Sequence, residues 1–470
     1  MRPGSRTVYE RLAPPPAAID AALAPSRHAV FWLEDAPGTS YPALTADGSA
    51  DLTVVGGGYC GLWTAVLAKR RNPAARVVLL EAGTIGWAAS GRNGGFCEAS
   101  LTHGEENGRS RWPDEYDTLE RLGQENLDAL ERDVRDLGLD CEFERTGTLN
   151  VAVEEHQVDW LRDSPGFLDA SAVRREIDSP VLLAGDWERE GCALVHPARL
   201  ARELARVAVT LGVEIHEGTE ATGLDTGAGG PVRVLTGGGT VVSDRVALAT
   251  NVFPSLLRRT RLLTVPVYDY VLMTEPLTAA QRASVGWAHR QGLGDLANQF
   301  HYSRLTADDR ILWGGYDAVY HRGRRVRASY EERPETFHRL ASHFLTVFPQ
   351  LEDVRFSHRW AGAIDTSTRF VAFHGLAGRG RVAYAAGFTG LGVGATRFAA
   401  EVMLDRLSGL STERTRLEMV RRMPLPFPPE PAAALGINAT RWSLDRADHR
   451  QGRRNLFLKA LDQAGLGFDS

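Results

Sequence analysis

The sequence predicts an α/β protein, α+β overall, in which a nucleotide-binding domain is assembled from separated stretches of chain and a second domain is inserted between them. A strand–helix–strand pattern with a glycine motif occupies residues 51–81. Further glycine-rich segments lie at 86–95 and 387–394, and β-rich sequence separates them. The chain has 470 residues, and single hydrophobic cores stop growing near ~250–300 residues, so more than one folding unit is expected.

Composition and charge restrict the classes of function. Hydrophobic residues make up 43% of the chain and charged residues 24%, as in ordinary globular proteins. The net charge of -5 indicates neither nucleic acid nor an anionic membrane as a partner, and no apolar run approaches the ~18 residues of a membrane span. The four cysteines lack metal-ligand spacing, so no metal site is expected. The N-terminal segment lacks an apolar leader, which favours a cytoplasmic protein, and nothing indicates the oligomeric state.

The predicted elements begin with a proline-rich N-terminal arm. Residues 1–50 have little hydrophobic periodicity and predict one short helix near 17–24. The apolar run at 51–55 predicts a buried strand, and the apolar spacing within 61–71 predicts a helix. Residues 76–81 then predict the second strand of a β-α-β unit.

The remaining sequence alternates between helical and strand patterns. Proline in the first turn favours a helix at 197–212. Further helices are predicted at 116–137 and from the 387–394 segment through 407, strands at 147–153, 213–216, 232–235, 245–250 and 381–386, a β-rich zone at 264–275 and 299–316, and a proline-rich tail from 422 that ends in a helical segment.

The glycine motif Gly56-x-Gly58-x-x-Gly61 lies between a predicted strand and a predicted helix, which is the context that gives it meaning. Its glycines permit a tight turn, a close approach of backbone to a pyrophosphate, and close packing of helix on strand. Glu81 ends the next strand about 20 residues after Gly61, where a carboxylate accepts hydrogen bonds from ribose hydroxyls and repels a 2′-phosphate. The pattern predicts an ADP-containing dinucleotide other than NADP. A purely structural glycine turn is the alternative.

Two later segments favour FAD over NAD. The loop at 86–95 brings backbone close to a ligand beyond the first half-site, which a long FAD needs and an NAD half-site does not. The segment 387–394 again joins a strand to a helix start, whose N-terminus would favour the negative charge of a reduced flavin. Turns that need glycine only for positive φ are the alternative interpretation.

These residues resemble the D-amino-acid oxidase superfamily of flavoproteins, and within it the γ-glutamylputrescine oxidase-like enzymes. The resemblance covers most of residues 50–410. It rests on VVGGGYCGL (54–62), VVLLEAGTIGWAASGRNGG (77–95), YSRLTADDRILWGG (302–315), FPQL (348–351), RWAG (359–362) and AAGFTGLGV (385–393), and the segments 196–205, 214–225 and 246–253 also fit the superfamily.

The resemblance implies an FAD-binding domain of the glutathione-reductase type with an inserted antiparallel β-sheet substrate domain. The implied boundaries are an N-terminal arm at 1–50, FAD-binding stretches at 51–105, 195–260 and 356–412, substrate-domain stretches at 106–194 and 261–355, and a C-terminal tail at 413–470.

The resemblance also assigns the cofactor contacts. The ADP part of FAD falls to Gly56, Gly58, Tyr59, Cys60, Gly61, Glu81 and Ala82, with Ala221 at the adenine in place of a usual valine and with Thr250 and Asn251 bordering the adenosine. Ser90, Gly91, Arg92, Asn93, Gly94 and Gly95 would pass close to the pyrophosphate and flavin, and Gly387, Phe388, Gly390, Leu391, Gly392 and Val393 would line the flavin ring.

Three departures from the family patterns bear on the chemistry. Ile364 stands where glycine oxidase-like members place an arginine that clamps the substrate carboxylate, which disfavours simple α-amino acids. No cysteine lies where cysteinyl-flavin members have theirs, so FAD is expected to bind without that covalent link. Lys69 and Lys459 are the only lysines, and neither matches the lysine that sarcosine oxidase-like members hold over the flavin for oxygen.

The expected reaction is oxidation of a C–N bond of an amine. A hydride would pass from the α-carbon to flavin N5, the imine would be hydrolysed to a carbonyl, and oxygen is the expected acceptor. Tyr270, Tyr302 and Trp360 would hold the amine and exclude water, with core packing as the competing interpretation. Arg304 would hold a distal carboxylate or form an ion pair at the sheet edge. His103 would be a base, a covalent flavin anchor or a loop residue without a role.

The sequence leaves three alternatives to this function open. An FAD-dependent dehydrogenase would pass electrons to a quinone or a carrier protein. A flavin monooxygenase would need NAD(P)H, although no second glycine motif follows a strand. The last alternative is a binding or assembly protein in which FAD has only a structural role. The tail, for its part, would either cover the active site or make a dimer contact.

Overall fold

The computed structural model describes residues 6–227 and 229–467 and contains two large β-sheets with helices packed around them. The first five residues of the predicted arm, residue 228 and the last three residues of the predicted tail lie outside the described residues. Within the described ranges, no helix is long and apolar enough to cross a membrane.

The helices are short in the N-terminal arm and longest around the two sheets. They are α1 (Val8–Arg11), α2 (Pro16–Leu23), α3 (Phe31–Asp35), α4 (Tyr59–Arg71), α5 (Glu105–Arg111), α6 (Tyr116–Asp136), α7 (Glu155–Leu161), α8 (Ala170–Glu176), α9 (Pro197–Thr210), α10 (Ala279–Val285), α11 (Pro334–Val347), α12 (Gly392–Leu407), α13 (Glu413–Arg416), α14 (Glu418–Arg421), α15 (Ala432–Asp448) and α16 (Leu456–Gln463).

The strands alternate with these helices along the chain. They are β1 (Arg27–His28), β2 (Gly48–Val55), β3 (Val77–Leu80), β4 (Phe96–Glu98), β5 (Thr148–Ala152), β6 (Phe167–Asp169), β7 (Ala184–Glu188), β8 (Cys192–Leu194), β9 (Val213–His216), β10 (Ala221–Asp225), β11 (Val232–Thr236), β12 (Thr240–Leu248), β13 (Thr264–Thr274), β14 (Gly292–Asp295), β15 (His301–Leu305), β16 (Ile311–Gly315), β17 (Val319–Tyr320), β18 (Phe356–Ser367), β19 (Phe373–Ala377) and β20 (Val382–Ala386).

The first sheet, here called the parallel sheet, has the strand order β10-β11-β12-β2-β3-β9, with β20 beside β12 and β19 beside β20. Strands β12, β2, β3 and β9 run parallel, and β20 runs parallel to β12. The apolar run VVLL of β3 is fully buried, as a parallel strand covered by helices on both faces requires. Helix α4 packs against β3 and against α9 and α12.

The second sheet, here called the antiparallel sheet, has the order β1-β18-β13-β16-β15-β14-β5-β7-β6, with β17 beside β13. All its pairs are antiparallel except β1–β18 and β14–β5. Side chains alternate along β13, so Asp269 and Val271 lie on one face, whereas Tyr268, Tyr270 and Leu272 lie on the other. The latter face packs in one apolar cluster with residues of α11 such as Phe337.

Most predicted elements are confirmed, with ends that shift by a few residues. The strand expected at 51–55 begins earlier, at Gly48. The strand expected at 245–250 is the last part of β12, whose first residues, from Thr240, pair with β11. The proline-rich tail from 422 contains two helices, α15 and α16, where a single helical segment was expected.

The expectation for the N-terminal arm is incomplete. The described residues of the arm, 6–50, form three helices rather than one, and strand β1 pairs with β18. Trp32 of α3 is fully buried and its ring contacts His196 edge-on. Such long-range contacts, rather than local periodicity, order this segment, so a search for periodicity could not detect it.

One predicted boundary needs correction. The third FAD-binding stretch was expected to begin at residue 356, but β18 starts there and pairs with β13 along its length. The chain therefore leaves the antiparallel sheet only after Ser367, and it enters the parallel sheet at Phe373.

Candidate active site

The carboxyl ends of three parallel strands meet at one edge of the parallel sheet. In the register of these strands, Leu248 of β12 lies beside both Val55 of β2 and Tyr384 of β20. The loops that follow these strands contain the glycine motif, the pair Thr250–Asn251 and the segment 387–394. This edge is where open α/β sheets bind nucleotides, so the topology brings together three of the predicted segments.

The glycine motif forms a turn that admits no side chains. Gly56 has φ +113°, and a Cβ there would overlap the carbonyl oxygen of Ala249. A Cβ at Gly61 would overlap the carbonyl oxygen of Gly56, so helix α4 can start this close to the turn only with glycine. A Cβ at Gly58 would lie 2.8 Å from Ser90 Oγ. Glycine is therefore required here by the close packing of the turn against Ala249, the start of α4 and the 86–95 loop.

Glu81 lies at the end of β3 with its carboxylate turned toward this turn. Its Oε2 accepts a hydrogen bond from the backbone N–H of Gly57 at 2.6 Å, and its Oε1 accepts from Gly83 N at 2.7 Å and from Trp87 Nε1 at 2.8 Å. These donors fix an acidic group beside the glycine turn, where the ribose of a dinucleotide is expected.

The predicted adenosine contacts are spread along the same edge. Thr250 and Asn251 line a cavity of about 120 Å³ together with residues of β20. Ala82 is exposed after β3, and Ala221 is partly buried at the start of β10. Their contact with adenosine stays a prediction.

The loop at 86–95 lies directly against the start of α4. Ser90 Oγ accepts a hydrogen bond from Tyr59 N at 3.0 Å, and Gly86 N donates to the Gly57 carbonyl at 3.1 Å. Asn93 Oδ1 accepts from Gly95 N at 2.8 Å within the loop. The second glycine segment therefore continues the surface begun by the first.

The segment 387–394 is held by a residue that the sequence did not single out. Asp365, buried near the end of β18, accepts hydrogen bonds from Gly387 N at 2.5 Å and from Phe388 N at 3.2 Å. Burial raises the pKa of Asp365 to about 7. Its partners lie more than 20 residues later in the chain, so no local sequence pattern around Asp365 indicates this role.

This segment also touches the chain that leaves the 86–95 loop. His103 Nε2 donates to the Thr389 carbonyl at 2.5 Å, and the backbone of Glu98 lies so close to Gly394 that a Cβ there would overlap it. Burial lowers the pKa of His103, which favours the neutral imidazole. In this position His103 supports the segment. Its predicted role as a base or flavin anchor stays untested.

The apolar members of the predicted flavin-lining set are part of the core. Phe388, Leu391 and Val393 are buried in the cluster that joins α12 to α4, while Gly390 has φ +96° and Gly392 begins α12. The side chains of these three residues therefore pack inward, and their backbone is the part that can border a ligand. Cys60 belongs to the same cluster, and all four cysteines are buried and unpaired.

Tyr302 lies on the face of the antiparallel sheet that is turned toward the 86–95 loop. A Cβ at Gly94 would lie 2.7 Å from Tyr302 Cε2, and the Phe96 ring meets the Tyr302 ring edge-on at 5.8 Å. The Tyr302 hydroxyl donates to the carboxylate of Asp269. Both side chains are partly exposed. The structure thus places Tyr302 beside the loop, and its predicted contact with the substrate stays a prediction.

Asp269 is a functional candidate that the sequence analysis missed. It is the one acidic residue in the run TVPVYDYVLMT of β13 and lies on the same face as Tyr302. Burial raises its pKa to about 6, and the Tyr302 hydroxyl partly offsets that rise. A charged residue inside an apolar strand was a usable signal, because such residues are rarely placed there without a partner or a ligand.

The expectation that Tyr270 faces the flavin side is wrong. Tyr270 is fully buried on the opposite face, where its hydroxyl donates to the Tyr330 carbonyl at 2.7 Å and its ring packs edge-on against Phe337. The period of two along β13 makes the reason plain: a residue next to Asp269 in sequence must point away from the face of Asp269.

Trp360 and Arg304 lie next to the loop but are enclosed. The Trp360 indole donates to the Arg92 carbonyl at 2.8 Å, and the Arg304 Nη1 atom donates to the Val195 carbonyl at 2.6 Å. Each is 1% exposed. Burial lowers the pKa of Arg304 to about 10. The hydrogen bonds of both residues stabilise the loop and its surroundings. Arg304 also lies inside the sheet rather than at its edge.

Parallel strands ending at one edge, a glycine turn that excludes side chains, and an acidic residue beside it define a dinucleotide-binding protein. Residues 51–406 match the family model described as FAD dependent oxidoreductase, and the chain belongs to that family. FAD is therefore its cofactor, and the predicted membership of the D-amino-acid oxidase superfamily is confirmed.

Relatives and solved structures agree with this assignment. The chain is 29% identical over 411 residues to the gamma-glutamylputrescine oxidoreductase of Escherichia coli, covering 83% of this chain and 90% of that one. It is 26% identical over 389 residues to the probable oxidoreductase OrdL of Haemophilus influenzae, covering 78% and 85%. The glycine oxidase structure from Geobacillus kaustophilus has a TM-score of 0.64 at 21% identity and covers 80% of this chain and 100% of that one, which confirms the fold class.

The residues at this edge fit FAD. The glycine turn carries no side chains at residues 56–58, as the approach of a pyrophosphate to the start of α4 requires, and the two later glycine segments contact one another and the start of α4. On the sequence assignment, Gly56, Gly58 and Glu81 would hold the ADP part, and the segments 86–95 and 387–393 would hold the flavin part.

Proposed function

We propose that the protein oxidises a C–N bond of an amine that carries no carboxylate on the reacting carbon. When bound, FAD supplies the acceptor for a hydride leaving that carbon. Water then converts the imine product to a carbonyl compound. The proposal is supported by the name of the Escherichia coli relative, a gamma-glutamylputrescine oxidoreductase, because that name refers to an amine.

The observation that carries the proposal is the charge on the face of the antiparallel sheet next to the 86–95 loop. Arg304 is enclosed and donates to a backbone carbonyl, and Arg92 forms an ion pair with Glu331 at 2.6 Å. Ile364, partly buried on this face, is apolar. Neither of these arginines is free to bind a substrate carboxylate in a bidentate pair, whereas Asp269 on the same face is acidic.

The chain's own residues would act mainly by orienting the substrate and excluding water. The rings of Tyr302 and Phe96 meet edge-on and form an apolar wall beside Gly94. An aliphatic amine held against such a wall would be oriented for reaction. A neutral amine also loses less hydration free energy on entering the site than a charged one. A hydride transfer from a neutral amine needs no further general base.

Oxygen is the acceptor that we propose for the reduced enzyme. A quinone or carrier protein is the alternative acceptor, which the position of the lysines leaves open. Lys69 Nζ donates to the carbonyls of Pro73 and Ala75 at the C-terminal end of α4, and Lys459 lies in α16, so neither adjoins the glycine loops. Hydrogen peroxide formed in step with amine consumption in air supports oxygen, and its absence during dye-linked turnover supports the alternative.

The test is an anaerobic titration of the FAD-loaded protein. Butylamine, putrescine, N-acetylputrescine, sarcosine, glycine and aminomethylphosphonate are each mixed with the protein, and the visible flavin absorbance is recorded. We expect the amines without a carboxylate to bleach the flavin and glycine to leave it oxidised. Rapid bleaching by glycine alone, or none by any compound while FAD stays bound, would contradict the proposal.

A further inference from the structure

The side chain of Asp269 is partly exposed on the face of the antiparallel sheet that is turned toward the 86–95 loop. In the register of the antiparallel sheet its partner on β18 is Gly362, and a Cβ there would meet only the Arg92 Cβ, at an ordinary 3.6 Å. The sheet position opposite Asp269 therefore carries no side chain, and Arg92 of the 86–95 loop lies across from it. On the other side, the Tyr302 ring covers Gly314 and brings its hydroxyl to the Asp269 carboxylate.

Among the described residues, no arginine, lysine or histidine forms an ion pair with the carboxylate of Asp269, although the charge of His301 on the other face of the sheet lowers its pKa. The guanidinium of Arg92, whose Cβ faces Gly362, is engaged by Glu331 and also donates to the Ala361 carbonyl at 3.2 Å. The one side-chain hydrogen bond to Asp269 comes from the neutral hydroxyl of Tyr302. The backbone N–H groups of Tyr270 and Gly315 also favour the charged carboxylate, but burial outweighs these contributions and raises its pKa. A cationic ligand group would offset the cost of burying this charge without an ion-pair partner.

The Asp269–Tyr302 pair lies beside the loop predicted to border the flavin, so a cation bound there would sit near the reacting part of the substrate. The reacting nitrogen itself must be neutral to release a hydride from its neighbouring carbon. A substrate with two nitrogens meets both demands, because one is protonated at the carboxylate while the other is oxidised.

We propose that Asp269, with the hydroxyl of Tyr302, binds the protonated second nitrogen of an aliphatic diamine or polyamine substrate. This proposal rests on the proposed function and specifies its substrate class. It makes Asp269 a specificity-determining residue, which contacts the substrate away from the bond that is broken.

The first experiment compares putrescine with butylamine, which has the same carbon chain but one nitrogen. Anaerobic flavin reduction is measured with the wild-type holoenzyme and with Asp269→Asn, which keeps the size of the side chain and an oxygen that can accept from Tyr302. We expect wild type to favour putrescine, and we expect the substitution to lower the putrescine-to-butylamine ratio of kcat/KM by about 10- to 100-fold, mainly through KM.

Asp186→Asn is the matched control. Asp186 is also a partly buried acid of the antiparallel sheet, but it lies in β7, at the opposite end of the strand order from β13. This variant is expected to keep the wild-type ratio. A wild-type enzyme that shows no preference for putrescine, or an Asp269→Asn enzyme that keeps the preference, would overturn the proposal.

A binding measurement separates this proposal from the proposed function. Butylguanidinium is a cation that cannot become a neutral amine at ordinary pH, so its binding to the oxidised holoenzyme is followed by calorimetry without turnover. We expect wild type to bind it and Asp269→Asn to bind it about 10- to 100-fold more weakly, with butyrate bound by neither. Equal binding to both proteins would overturn the assignment of Asp269. Failure of every amine to reduce the flavin, with this binding difference intact, would overturn the proposed function alone.

Discussion

The two sides of the active site are built in different ways. On the side of the parallel sheet, backbone groups approach one another so closely that Gly56 and Gly61 tolerate no Cβ. On the side of the antiparallel sheet, the site consists of the side chains of Tyr302 and Asp269, which lie on strands that contain no glycine. Substitutions on the side of the parallel sheet are therefore expected to abolish FAD binding. Substitutions on the side of the antiparallel sheet are expected to change substrate specificity.

The largest effect is expected for Gly61→Ala. The added methyl group would overlap the Gly56 carbonyl, and relieving that overlap must move the start of α4 away from the turn. We expect loss of bound FAD and a fall in the free energy of unfolding of about 3 kcal/mol. Flavin content after purification and chemical denaturation measure the two quantities.

Gly436→Ala is the control for this substitution, because Gly436 lies in α15 and a Cβ there meets nothing within 4 Å. It should retain FAD and change stability by less than about 1 kcal/mol. A Gly61→Ala protein with full flavin content would show that the turn is not limiting for the cofactor.

The second prediction concerns Asp365, which links the two sides. Its carboxylate accepts from Gly387 N and Phe388 N, and an amide at this position would turn N–H groups toward donors or leave one donor unpaired. Asp365→Asn is therefore expected to weaken FAD binding about tenfold or more. Equilibrium dialysis of FAD against this variant and against Asp244→Asn, an exposed change in β12, provides the comparison. Equal affinity would mean that the 387–394 segment does not depend on Asp365.

A third prediction uses pH to isolate the antiparallel side. Burial raises the pKa of Asp269 to about 6, so its carboxylate is charged above that pH and neutral below it. The groups facing it are the Tyr302 hydroxyl, the Arg92–Glu331 ion pair and, through the sheet, His301, which pairs with Asp295. Butylguanidinium keeps its charge throughout.

Its affinity is therefore expected to be constant above pH 6 and to fall about tenfold per pH unit well below it. The measurement is calorimetry across this range with wild type and Asp269→Asn. A profile that is identical in the two proteins would assign the titration to another group.

The smallest effects are expected for two tyrosines on opposite faces of the antiparallel sheet. Tyr302→Phe removes the hydroxyl that donates to Asp269 and should lower the preference for putrescine over butylamine several-fold. Tyr270→Phe removes only a hydrogen bond to the Tyr330 carbonyl, so it should cost about 1 kcal/mol of stability and leave the kinetics unchanged. Steady-state kinetics and denaturation of both variants test the contrast. A kinetic effect of Tyr270→Phe alone would reverse the assignment of the faces.

The same division explains what could be predicted from the sequence. Gly56, Gly61 and Glu81 could be predicted because a glycine turn after a strand requires glycines and an acidic residue at fixed distances along the sequence. Tyr270 was placed on the wrong face, and Asp269 was missed, because the orientation of β13 depends on its pairing with β18 about 90 residues later.

The most direct test of the account is the visible spectrum of the FAD-loaded protein mixed anaerobically with putrescine. This spectrum tests the central claim, which is that three separated glycine segments hold one FAD and that this FAD accepts electrons from an amine. We expect the oxidised flavin band of the wild-type protein to disappear. We expect the Gly61→Ala protein to contain no bound flavin, so that its spectrum does not change. A wild-type protein whose bound flavin stays oxidised with putrescine and with every other amine of the panel would contradict the claim.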